Sequence, residues 1–68
     1  MKFTIEFEIE TDGRWIAEVL EIPGALVYGK SREEALSKAE ALTFRVMADR
    51  LENGEKVAEE LQISFKAA

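Results

Sequence analysis

Phe3, Ile5, Phe7 and Ile9 alternate with Thr4, Glu6, Glu8 and Glu10 at the start of the chain. A period of two predicts a strand with one apolar and one acidic face. Thr11-Asp12-Gly13 follows as a hairpin signal, because glycine accepts the positive φ that tight turns require. Arg14 to Leu20 is the returning strand. A two-residue loop would pair Phe7 with Glu18 and push a carboxylate onto the apolar face. A three-residue loop, Thr11 to Gly13, pairs Ile9 with Trp15, Phe7 with Ala17 and Ile5 with Val19, and sets Glu10 against Arg14 outside. A slip of one residue inverts every side chain, so the three-residue loop with a bulge at Gly13 is expected.

Glu21-Ile22-Pro23-Gly24 reads as a turn, proline presetting φ and glycine relieving the next position. Ala25 to Gly29 is a short third strand. Ser31 with Glu34 three residues later makes a capping box, opening a helix from Arg32 to about Asn53. Its core stripe is Ala35, Ala39, Leu42 and Val46, widened by Leu36, Thr43 and Met47. Gly54 suits the left-handed position after the last turn. Residues 55–60 form a charged connection anchored by Val57, and Leu61 to Lys66 alternates as a last strand. The order β-β-β-α-β predicts a single α+β domain over 1–68, a small mostly antiparallel sheet with one long helix on one face.

Composition narrows the function. At 68 residues, with no cysteine and no histidine, the chain has neither disulfides nor thiolate or imidazole metal ligands to stabilise a small core. Association with a second copy or another protein is the remaining route, so a homo-oligomer or a partner-bound protein is expected. No apolar run approaches the ~20 residues of a membrane span. The alternating N-terminus is unlike a signal peptide, so the expected location is cytoplasmic. The net charge of −5 disfavours direct nucleic-acid binding and favours a basic protein partner.

No catalytic constellation emerges. Glu6, Glu8 and Glu10, with Glu18 beside them, share one side of the hairpin, but two-metal chemistry needs acids converging from different elements. They read as a solvated face, and no cofactor or metal is expected. Ser31 has no base beside it, and its cap role accounts for it. The residues that stand out are apolar and outward: Ile16 and Leu20 on the sheet face away from the helix, joined there by Leu26 or Tyr28, and Phe44 and Leu51 at the edge of the helix stripe. With Glu6, Glu8, Glu10 and Glu18 they are the candidate partner or oligomer interface.

Residues 17–42 carry a family resemblance. Ala17, Val19, Glu21-Ile22-Pro23-Gly24, Gly29, Ser31, Glu33-Glu34-Ala35-Leu36, Ala39 and Leu42 resemble the HicB-like antitoxin domain, with its Pro-Gly turn and its Glu-Glu-Ala helix start. Leu20, Ala25 and Lys30 depart from that pattern, where proline, cysteine and an acid are usual. The resemblance implies a partial ribonuclease-H-like sheet without catalytic acids that covers a small basic ribonuclease of the HicA type. Fuller members add a DNA-binding domain. The sequence read to Ala68 contains none, so autoregulation by operator binding is not expected.

Overall fold

A computed structural model of the chain describes residues 1–55 and 62–67. Four strands and one helix follow in the order β1 (Lys2–Ile9), β2 (Trp15–Val19), β3 (Leu26–Gly29), α1 (Arg32–Glu52) and β4 (Ser64–Ala67). The sheet order is β3-β2-β1-β4. β1–β2 and β2–β3 are antiparallel, whereas β4 joins β1 in parallel. The class is therefore α+β, as the alternation and the cap predicted.

The hairpin register is the expected one: Ile5 faces Val19, Phe7 faces Ala17 and Ile9 faces Trp15. Gly13 has φ 89° and donates its N–H to the Glu10 carbonyl at 2.9 Å, while the Glu10 N–H reaches the Arg14 carbonyl at 2.8 Å. The three-residue loop and its glycine bulge follow from these two bonds. The outer Glu10–Arg14 side-chain pair does not form. Arg14 Nε instead meets Asp12 Oδ2 at 2.7 Å, within the loop, and its guanidinium lies 4.8 Å from the Tyr28 ring centroid. A carboxylate two residues away and an aromatic face on the next strand outcompete a partner across the loop.

The turn after β2 closes through the Ala25 N–H and the Ile22 carbonyl at 3.1 Å, with Gly24 at φ 78°. Ser31 Oγ accepts the Glu34 N–H at 3.1 Å. The return bond of the expected box is displaced by one residue, since Glu34 Oε1 accepts from the Lys30 N–H at 3.2 Å. The helix ends on Gly54 at φ 74°. Its N–H bonds the Leu51 carbonyl and that of Glu55 bonds the Arg50 carbonyl, the paired closure that left-handed glycine permits.

The core lies between α1 and the inner sheet face. Phe3, Ile5, Ala17, Val19, Ile22, Ala25, Ala35, Ala39 and Met47 are buried in one cluster. The helix buries Ala35, Ala39, Thr43 and Met47, so the expected stripe is rotated: Leu42 and Val46 are only half-buried. Thr43 can occupy the centre because its hydroxyl bonds the Ala39 carbonyl at 2.9 Å, which removes the penalty of burying it. β4 begins at Ser64, pairing with Lys2, and runs to Ala67 beside Ile5. It therefore starts later and ends later than expected, with Gln62 and Ile63 outside the strand. The positions expected for Val57 and Leu61 lie outside the described residues.

Three carboxylates, exposed Asp12 and Glu21 and half-buried Glu34, titrate below their usual range. The Thr4 N–H lowers Glu21 first, through a 2.7 Å bond to Oε1 that extends the β1–β2 ladder past the strand end. The Arg14 N–H and guanidinium lower Asp12. The Lys30 N–H and then Lys38 lower Glu34. Each folded pKa sits below its unfolded value, so the stabilisation is present at neutral pH and lost as pH falls through the depressed values. Urea midpoints should therefore drop between about pH 6 and about pH 3, and Glu21→Gln should shallow that dependence.

Candidate partner-binding surface

The outer face of the sheet carries every second residue of the strands. Register places Glu8, Ile16 and Tyr28 in one cross-strand row and Glu6, Glu18 and Leu26 in the next. Leu20 continues beyond β2, its N–H donating to the Thr4 carbonyl at 3.0 Å. Leu20, Leu26 and Tyr28 are 45%, 44% and 42% exposed, so a real apolar strip stands beside the acids. Ile16 shares this face but is not accessible: it is only 9% exposed, because Glu8 and Tyr28 flank it on the adjacent strands. It supports the strip without offering contact area, which corrects its place among the interface residues.

The electrostatics of this face are uneven. Glu6 stands directly opposite Glu18, and both are exposed. Like charges at facing positions of a sheet are destabilising, by a few tenths of a kcal/mol to about 1 kcal/mol. Glu8 adds a third negative charge in the next row. Glu10 stands one residue past β1, half-buried, with its backbone closing the hairpin. Lys2 and Lys66 occupy the β4 margin of the same face, on β1 and β4. The centre is thus acidic and the margin basic.

A second surface follows the outer flank of α1. Phe44 and Leu51 are 52% and 51% exposed. With Met47, Ala48 and Ile63 they line an apolar groove of about 420 Å³ between the helix and the β4 side of the sheet. Phe44 is held edge-on to Phe65 at 5.8 Å between centroids, and Phe65 lies 5.9 Å from Phe3. An aromatic row therefore leads from the core to this surface. The sequence identified Phe44 and Leu51. Ala48 was missed, although its spacing from them, four and three residues, was legible.

The remaining candidates resolve structurally. Ser31 is the helix N-cap. Pro23, Gly24, Gly29, Ser31, Glu34, Ala35 and Gly54 all serve the turn, the cap or helix packing. Among the described residues no group of three or more acids is placed to hold a metal ion. No helix among them is long and apolar enough to cross a membrane. A small cleft at Arg14, Tyr28, Lys30, Glu34 and Lys38 has two of its three cations engaged: Arg14 with Asp12, and Lys38 with Glu34 at 3.2 Å. Comparison with family models, curated proteins and solved structures gives no match to this chain.

Proposed function

We propose that this chain is a non-catalytic protein-binding module that covers a small basic protein with its outer sheet face, as an antitoxin covers a HicA-like ribonuclease. The observation that carries this reading is the Glu6–Glu18 facing pair beside exposed Leu20, Leu26 and Tyr28. The free protein bears a local repulsion that a lysine or arginine of a partner would relieve, and the apolar strip would supply the contact area. The charge serves encounter and orientation, and the apolar residues serve residence. Lys2 and Lys66 at the margin would fix the orientation by excluding a partner whose basic patch extends that far. The HicB-like resemblance at 17–42 supports the same kind of partner.

The test uses opposite signs for stability and binding. Glu6→Gln combined with Glu18→Gln should raise the urea stability of the free chain by up to about 1 kcal/mol. The same variant should slow association with a small basic HicA-type ribonuclease by about tenfold at low salt. Wild-type association should slow steeply with added salt. An association rate indifferent to both charge removal and ionic strength would remove the proposal. A second reading, a self-associating scaffold without a toxin partner, is favoured by the exposed Phe44 and Leu51. A short basic reading frame beside this gene would favour the first reading over it.

A further inference from the structure

The exposed flank of α1 has a periodicity that the core does not require. Ser37, Ala41, Phe44, Ala48 and Leu51 are all exposed, and they follow one another by four, three, four and three residues. That spacing is the seam of two helices packed at a shallow angle. The core stripe through Ala35, Ala39, Thr43 and Met47 lies on another side of the helix, so this line, apart from the edge of Phe44 that meets Phe65, is additional to what the fold uses. Within it, large and small residues alternate: Ala41, Phe44, Ala48, Leu51. From these observations we infer that a second copy of this chain packs its α1 antiparallel against this seam, forming a two-fold dimer that leaves the acidic sheet face open.

The occupant follows from self-complementarity. When two identical helices run antiparallel with Phe44 placed over Ala48 of the second copy, the same register places Ala41 over Leu51 of the second copy. Each large side chain then meets a small one, and the two-fold repeats both contacts. An unrelated partner would not require one stripe to carry both the large and the small members. The adjoining groove beside Ile63 receives the remainder of each Phe44 and Leu51.

Charge agrees with this register. Lys38, Arg45 and Glu52 recur every seven residues along one flank of the seam. In antiparallel pairs, corresponding flanks face each other, so Lys38 meets Glu52 of the second copy and Glu52 meets its Lys38. Lys38 Nζ already bonds the Tyr28 carbonyl at 3.0 Å and Glu34 at 3.2 Å, which leaves one of its three donor positions for a further acceptor. The two Arg45 side chains approach near the axis, where their length lets them splay into solvent. Two attractive contacts stand against one repulsive contact.

This inference stands apart from the antitoxin-like reading, since it uses the helix flank and not the sheet face. Light scattering after size exclusion of the full chain at about 100 µM should give the mass of a dimer. Phe44→Glu and Leu51→Glu should each weaken the dimer by at least about 30-fold. Their far-UV circular dichroism should stay unchanged, because both positions are exposed. Glu52→Lys should weaken it several-fold, and Glu52→Lys with Lys38→Glu should restore it. Leu26→Glu, on the sheet face, should leave it intact. A monomer at that concentration would overturn the inference. So would a dimer that survives Phe44→Glu or is lost with Leu26→Glu. A dimer lost with Phe44→Glu but not rescued by the charge exchange would overturn the antiparallel register.

Discussion

Gly29→Ala should be among the most damaging single-methyl additions to this protein, removing about 3 kcal/mol or more of stability. A Cβ at Gly29 would stand 2.5 Å from the Ala35 backbone nitrogen, 2.9 Å from its Cα and 3.0 Å from the Glu34 carbonyl carbon. All three atoms belong to the backbone of the first helical turn, so no rotamer change relieves the clash. The helix would have to lift by about 1 Å to restore ordinary contact, and it would carry Ala35 and Ala39 away from Val19 and Ala17. A chain of this length has roughly 3–10 kcal/mol in total, so the variant should be largely unfolded at the lower end of that range. Gly13→Ala is the control, since Gly13 has φ 89° with nothing within 4 Å of its Cβ position. Its cost is backbone strain alone, about 1–2 kcal/mol. Urea titrations of the two variants separate the explanations: equal losses would mean that crowding beneath the helix is not what requires glycine at 29.

The same distinction shows what could be read before the structure. Gly13, Gly24 and Gly54 announce themselves by local chemistry, each beside residues that make a turn or end a helix, and each has positive φ. The hairpin register was legible for a similar reason: the alternative buried Glu18, and a period of two leaves no intermediate. What escaped depended on through-space choices. Arg14 had several acids within reach along the chain, and only the position of Tyr28 on the neighbouring strand decides that it turns toward Asp12. Ile16 was placed on its face correctly, yet its burial depends on flanking side chains whose length covers it. The helix stripe was misplaced by less than a quarter turn because Thr43 was counted as marginal. Once its hydroxyl is satisfied within the helix, it is the best-buried polar residue among the described residues. The apolar candidates were legible as two groups, Leu20 with Leu26 or Tyr28 on the sheet and Phe44 with Leu51 on the helix edge, but the groove that Phe44 and Leu51 share with Ile63 depends on where the chain returns after the helix.

Ile5→Ala should cost about 3–4 kcal/mol, while Ile9→Ala on the same strand should cost less than about 1 kcal/mol. The two residues have the same type, the same strand and, being an even number apart, the same face. Their environments differ completely: Ile5 is 0% exposed and Ile9 is 58% exposed. Ile5 stands in the strand paired on both sides, between Val19 of β2 and Ala67 of β4. Removing three carbons there leaves a cavity that the flanking strands cannot close without breaking their ladders, so a cavity penalty adds to the lost transfer free energy. Ile9 reaches past the cover of α1, with Trp15 opposite, and truncation there exposes little that was dry. Urea midpoints at neutral pH measure the difference. A large loss at Ile9 would mean that this end of the sheet is covered in solution, and dimerisation through α1 could then be tested as the cover by repeating the titration with Phe44→Glu. If Ile9→Ala becomes harmless in that background, the second copy reaches over the hairpin as well. If it stays costly, the cover comes from the hairpin itself, from Trp15 and Phe7, which already meet edge-to-face at 6.3 Å.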